Sequence, residues 1–418
     1  MSSALLVTFF FLLIVPLVTS QNAPRFSLIN KDESSGLYTM TIYMKTPLQP
    51  SKLHLDLGSF LPWYDCARHH KSSTYQPVIY NSSLSVDLDT KAYGNCFEKP
   101  SPGCSNDTCS FFPENPVSQK IATGLLLTDK YALPIAKKQF QLGKVSEIVL
   151  SCTGPNKYSR IYRGLAKGST GLASLGRFNY SLSAQISRAS SPLSPWIFAL
   201  CLPTSSKAPG IALFNSPGPY NFSPGIDLSR SLTYTPLILD YYIGLTSFRV
   251  NKRDVSLDPT LLAIAENGMG GTKLGSSAPY SVLQTSIFTA LKDAFVKESV
   301  GYNLTEVKPV APFSLCYAAD TTLSTRLGPA VPTIDLVLQN TEVVWRIYGS
   351  NSMVNILSNG VDILCLGFVD GGQKTRTSIV IGGHQMKDNL LQLDLERKRL
   401  GFSSSLLLQS TNCANFNV

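Results

Sequence analysis

Charge is scarce in this chain. Only 15% of its 418 residues are Asp, Glu, Lys or Arg; with 26 prolines, 29 glycines and many runs of Val, Ile, Tyr, Phe and Thr, this favours a mostly β protein. Histidine is scarcer still, with four residues in all (His54, His69, His70 and His384), and no Cys-x-x-Cys pair occurs. Those absences remove the usual zinc-type ligand sets, so the adjacent His69 and His70 read as a solvated loop pair. No metal and no cofactor is implied. The formal charge of +9 has no concentrated basic run behind it, Arg397-Lys398-Arg399 being the densest cluster. It reads as a solvated basic surface, or as attraction to acidic polymers or acidic partner proteins outside the cell. Nucleic acid is not an expected partner. After the N-terminus no apolar run approaches a bilayer span, so no membrane partner is expected.

One apolar run does occur, from Ala4 to Val18, broken only by Thr8 and Pro16 and closed by Thr19-Ser20. It is short for a membrane span and ends in small residues, which predicts a cleaved signal peptide over residues 1–20 and export to the extracellular space or cell wall. Five Asn-x-Ser/Thr sequons agree with export: Asn81, Asn106, Asn179, Asn303 and, weakened by Pro224, Asn221. Nine cysteines all follow residue 20, so an exported chain would hold disulfides and one odd thiol. The remaining length suits two lobes better than one core. The Ser/Pro/Gly/Asn-rich passage Asn215 to Gly225 places their boundary near residue 228, giving lobes of 21–228 and 229–418.

The most informative stretch is Leu53-His54-Leu55-Asp56-Leu57-Gly58-Ser59, followed by Phe60-Leu61-Pro62-Trp63. It sets one carboxylate at the end of an apolar alternation, before a glycine that allows a tight turn. Pro47 and Pro50 are expected to break the chain before it, and residues 67–120 are loop-rich and in need of disulfide staples. Short helices are predicted from Ser181 to Ile186 and, with an apolar face of Ile287, Leu291, Ala294 and Phe295, from Ser286 to Lys297. Strands are predicted over most of the rest, including Tyr241 to Val250 and Leu390 to Leu395.

Asp56-Leu57-Gly58-Ser59 with a downstream Trp63 resembles the first catalytic motif of pepsin-like aspartic proteases. Gly171 to Arg177 and Ile379-Val380-Ile381-Gly382-Gly383 resemble their paired hydrophobic-Gly loops, and Leu391 to Phe402 their closing strands. More narrowly, Ser73-Thr74-Tyr75, Phe112-Pro113-Glu114-Asn115-Pro116, Gly270-Gly271-Thr272-Lys273, Val344-Trp345 and Cys413-Ala414-Asn415-Phe416 are similar to one plant branch. That branch comprises extracellular dermal glycoprotein, xyloglucanase and xylanase inhibitors, and basic globulins. The resemblance covers residues 25–413 and implies an all-β, bilobal acid-protease fold with few short helices. It also implies the disulfides Cys66–Cys152, Cys201–Cys413 and Cys316–Cys365, leaving Cys96, Cys104 and Cys109 with one bond among them.

The branch is regarded as non-proteolytic, and the residues here agree. Hydrolysis on this plan needs two carboxylates sharing a proton, and losing one partner costs about 10²–10⁴-fold. Gly275 falls where the second Asp belongs, with Lys273 there in a rival register, and no Asp or Glu occurs from Asn267 to Lys292. No Tyr-Gly flap pair lies between Glu114 and Lys130, and Tyr93-Gly94 precedes the cysteine cluster. Asp56 is then a structural acid. What the branch implies instead is inhibition of microbial cell-wall glycanases of family 12 or 11, an arginine pairing with their catalytic carboxylates. Of the two arginines its xyloglucanase inhibitors use, one is matched by Arg326 in Ser324-Thr325-Arg326-Leu327-Gly328-Pro329; the other corresponds to Ser410. A storage or binding globulin that takes a peptide or cell-wall polysaccharide is the alternative, and an active endopeptidase a further one.

Overall fold

The computed structural model describes residues 24–66, 71–90, 93–95, 99, 101, 104–136, 140–153, 161–191 and 193–417. The segment expected to be a signal peptide, the His69–His70 pair and Cys96 lie outside the described residues. The chain is mostly β, and one large sheet runs through the first half of the molecule and into the last residues of the second. Strand Arg25–Lys31 pairs with Gly210–Phe214 and with Tyr38–Met44, which in turn pairs with Gln49–Asp56. Apolar alternation drives this: Tyr38, Met40, Ile42 and Met44 all face the core.

The two halves are stitched rather than merely apposed. Strand Ile197–Cys201 lies antiparallel to Leu390–Asp394 in the register Ile197 opposite Asp394 and Cys201 opposite Leu390. Arg399–Phe402 and Thr233–Pro236 continue the same sheet. Three strands that follow residue 228 therefore complete the sheet of the residues before it. Cys201–Cys413 closes a separation of 212 residues across this seam, and Cys66–Cys152 and Cys316–Cys365 staple the two halves individually. Cys104 is disulfide-bonded as well. Among the described residues the free thiol is Cys109, buried, with its Sγ 2.9 Å from Ser85 Oγ.

Where the fold departs from the sequence expectations, the reasons are local. The predicted break at Pro47 occurs, but Pro50 lies inside strand Gln49–Asp56, opposite Tyr43. Near the start of a strand its missing N–H breaks no ladder. The region from Tyr241 to Val250 splits into Tyr242–Ile243 and Ser247–Val250 on different sheets. The helix expected to begin at Ser181 runs Leu182–Ser190, with the Ser181 hydroxyl capping Ala184 N–H. The second runs Thr285–Ser299, capped by the Gln284 side chain and burying Ile287, Phe288, Leu291 and Phe295. The loop-rich stretch also holds a short helix, Ser83–Asp87.

Candidate functional site

Each half ends one strand against a parallel neighbour, and the two ends meet at the centre. In the first half Gln49–Asp56 lies beside Gly171–Ser174, with Ser174 opposite Asp56. In the second, Thr272–Leu274 lies beside Ile379–Ile381 in the same sense. From the second turn Ser276 reaches across: its Oγ accepts from Leu57 N at 3.0 Å and donates to Leu55 O at 3.1 Å. These are the backbone groups on either side of Asp56. Ser276 is thus bonded to both sides of the Asp56 position, and Gly275 directly precedes it. The bridge runs one way, because Leu57 has no hydroxyl to return it. A Cβ at Gly275 would sit 2.5 Å from Val380 Cγ1, so a side chain there would require Val380 to shift.

Asp56 is 4% exposed and accepts three hydrogen bonds. Gly58 N–H (3.0 Å) and Ser59 Oγ (2.5 Å) reach Oδ2, while Ser277 Oγ (2.6 Å), from the opposite turn, reaches Oδ1. Behind Ser277 stands buried His54, whose Nε2 is 2.9 Å from Ser277 Oγ and whose Nδ1 accepts from Ala166 N at 3.5 Å. The imidazole therefore donates to the serine and the serine to the carboxylate, the reverse of the polarity that activates a nucleophile. Burial pushes His54 down to about 4, against the pull of the Asp56 carboxylate. An unfolded His takes a proton below 6.5 while this one waits until about 4, so the fold loses stability as pH falls through that window.

Lys273, the residue of the rival register, is ion-paired. Its Nζ lies 3.4 Å from Asp240 Oδ2 and over the Tyr242 ring. The cleft around Asp56 has a volume of 770 Å³ and is walled by Phe60, Phe111, Phe112 and Phe178. Over it lies the hairpin Glu114–Asn115 with Lys120–Ile121, fixed by Trp63 Nε1 donating to Glu114 O at 3.1 Å. The buried Asn115 side chain holds the hairpin's own turn, accepting from Val117 N and Ser118 N. Tyr93-Gly94 is elsewhere, paired with Thr108–Phe111, the Tyr93 ring against Tyr80.

We expect Ser276→Ala to lower stability by about 2–4 kcal/mol, because it strands a buried N–H and a buried C=O at once. Ser276→Thr, which keeps the hydroxyl, should stay within about 1 kcal/mol of the native chain. Urea unfolding of both variants checks this, and equal losses would show that the cross-turn bonds are not responsible.

The second place of interest is a two-residue hairpin. Ser324–Thr325 pairs with Gly328–Pro329 and lifts Arg326 and Leu327 to its tip. Thr325 Oγ1 donates to Gly328 O at 2.7 Å and accepts from Leu327 N at 3.1 Å. Leu327 O accepts from Ser350 N at 2.7 Å, and Gly328, at φ +94°, has no room for a Cβ against Ser350. These bonds tie the loop down, and Arg326 is exposed. Its Nη1 donates to Ser410 Oγ at 3.1 Å. The two residues singled out as an inhibitory pair, 84 positions apart, are thus in contact. Ser410 sits in the left-handed region (φ +56°), capping the turn Leu406–Gln409.

Beneath Arg326 opens a cavity of 840 Å³ between the halves, into which His384 and Lys387 face. His384 Nε2 donates to Met353 O at 2.9 Å, leaving Nδ1 to accept from Lys387 Nζ at 3.2 Å. Sequence reasoning passed over this pair and over Ser276 and Ser277. The two serines directly follow Gly275, a signal that was available; nothing local marked Lys387.

Among the described residues no cluster of His, Cys, Asp or Glu is arranged to hold a metal ion. The side chains of Asn81, Asn106, Asn179, Asn221 and Asn303 are exposed, as glycan attachment requires.

Residues 38–216 match the family described as xylanase inhibitor N-terminal, and residues 240–404 match xylanase inhibitor C-terminal. The chain is 42% identical over 414 residues to the probable aspartic proteinase GIP1 of Glycine max, covering 94% of this chain and 92% of that one. It is 39% identical over 398 residues to gamma conglutin 1 of Prunus dulcis, covering 93% and 88%. Among solved structures, that of EDGP superposes with a TM-score of 0.87 at 42% identity, covering 94% of this chain and 98% of that one.

Proposed function

The chain belongs to the xylanase-inhibitor family of pepsin-like proteins, and from that premise we propose that it is a secreted, proteolytically inactive inhibitor of microbial cell-wall glycanases. The observation that carries this reading is Arg326. A two-residue hairpin presents it to solvent, where it contacts the Ser410 hydroxyl and has no carboxylate in ion-pair contact among the described residues. A guanidinium held so matches the paired carboxylates of a glycosidase, which lie within bidentate reach of a fork of N–H donors. Family 12 and family 11 endoglycanases are the intended targets, in the extracellular space or cell wall. Titration of the secreted protein against such enzymes should give stoichiometric loss of activity; no complex with any of them would sink the reading.

Inactivity as a protease follows from the centre. The matching position to Asp56 is Gly275, and Ser277 occupies the carboxylate oxygen that would face a partner. We therefore expect Gly275→Asp alone to leave casein uncut at acid pH, since Ser277 still holds Oδ1 and the covering hairpin carries no Tyr-Gly. Pepstatin-sensitive hydrolysis by the native chain would overturn this. The absence of an arginine at Ser410 favours a second reading, a non-inhibitory binding or storage globulin. A pull-down from fungal culture filtrate that yields no glycanase would favour it over the first.

A further inference from the structure

We propose that the cavity beneath Arg326 is a binding site for a small organic carboxylate of about disaccharide size, with Lys387 as its buried counter-ion. This does not depend on inhibition of a glycanase, although Arg326 borders both sites.

The argument starts from unbalanced charge. Two carboxylates line the 840 Å³ cavity, Glu33 and Asp388, and both are already engaged. Glu33 accepts from Lys31 Nζ at 2.9 Å and from Ser206 N at 2.7 Å. Asp388 accepts from Cys413 N at 3.1 Å and from the Thr204 hydroxyl. Two cations in the same lining have no carboxylate within ion-pair distance among the described residues: Arg326 at the rim and Lys387 below. Lys387 is 9% exposed, and its one described partner is the neutral Nδ1 of His384. Burial of an amine beside an imidazole, with no anion in ion-pair contact, is a costly arrangement that an incoming carboxylate would relieve.

Tyr38 lines the same cavity, but it is fully buried and its hydroxyl has no accessible surface, so it belongs to the wall and not to the groups a ligand could reach. The rest of the wall favours an organic body over an inorganic anion: Tyr280, set edge-on to Phe313, and Met353 offer apolar faces, while the Arg326 fork suits a carboxylate.

The charged and titratable groups that face Lys387 are His384 on its own turn, Lys31, Glu33, Tyr38 and Tyr280 across the cavity, and its neighbour Asp388. Burial, with a smaller contribution from Lys31, lowers the Lys387 amine to about 7, while Asp388 and Glu33 oppose the shift. His384 is held well below 6.5 by burial and by the Lys387 charge, and stays neutral at mildly acid pH. A carboxylate should therefore be held best where Lys387 is charged, below about 7, and released as pH rises past it.

The test is calorimetric titration of the full secreted chain with digalacturonate, with neutral digalactose and inorganic phosphate as controls, in the absence of any glycanase. Digalacturonate should bind at about pH 5.5 and lose about tenfold or more in affinity both in Lys387→Met and, for the native chain, at about pH 8.5. Arg326 keeps its charge over that range, so the pH arm isolates Lys387 even if the variant folds poorly. No binding by digalacturonate, equal binding by digalactose, equal binding by the variant, or a flat pH profile would each overturn the proposal. Phosphate binding as well as digalacturonate would overturn the preference for an organic ligand.

Discussion

Lys387→Met is expected to raise the thermal unfolding midpoint by roughly 5 °C at about pH 5.5, with the gain shrinking as pH rises through 7 toward 10. The amine is buried and its ordinary value of 10.5 falls to about 7. Between those two values the unfolded chain binds a proton that the folded chain has released, so stability rises with pH across the window. Below about 7 both states hold the proton and the whole cost of burying the charge is borne by the fold. That cost is on the order of 4 to 5 kcal/mol. Methionine has similar length and no charge to desolvate, so it removes the cost and gives back about 1 kcal/mol by leaving His384 Nδ1 without its donor. Thermal scans at several pH values check this. A gain of the same size at every pH would show that packing, not charge, is responsible.

Arg326→Ala is expected to weaken glycanase inhibition about a hundredfold or more, as truncation of a central charged anchor does in other interfaces. The loop should survive the change, since its order comes from Thr325, Gly328 and Ser350 rather than from the guanidinium. Loss of potency would therefore report the contact and not the fold. Ser410→Arg supplies the converse. Ser410 Oγ is within 3.1 Å of Arg326 Nη1, so a second guanidinium there would present two forks to one carboxylate pair. Its left-handed backbone, φ +56°, tolerates arginine at a cost on the order of 1 kcal/mol. Inhibition constants for the native chain and both variants against the same enzyme decide the matter. Unchanged potency in Arg326→Ala would remove Arg326 from the mechanism.

Much of the centre was legible. The turn at Asp56 is marked by apolar alternation before a glycine, a pattern carried by consecutive residues. Gly275 was harder, because a glycine and a lysine both fitted the gap where an acid was missing. Beside it stands Ser276, whose hydroxyl touches residues 219 and 221 positions away. No local pattern encodes such a contact. Ser277 was missed for the same reason: its meaning lies in Asp56 and His54, which are remote in sequence and adjacent in space.

The two basic sites divide in the same way. Arg326 could be singled out because Ser324-Thr325-Arg326-Leu327-Gly328-Pro329 resembles a loop of the xyloglucanase-inhibiting branch, not because anything in its own pattern marked it. Lys387 could not, since a lysine is ordinarily a solvated residue and its short helix, Gly383–Met386, says nothing of what lies opposite. Its unusual state is made by burial between halves of the chain.

By itself the sequence determined the β character, the turn at Asp56 and the lack of any Asp or Glu from Asn267 to Lys292. Each depends on the order and kinds of neighbouring residues, and alternation, glycine and turn chemistry act over a few positions. Tertiary structure alone decided that Ser277 satisfies Asp56, that Ser410 meets Arg326, and that Lys387 is buried with no carboxylate in ion-pair contact among the described residues. Those are facts of desolvation and of long-range hydrogen bonding, and they come into being only when the closing strands pair with the first half and shut water out.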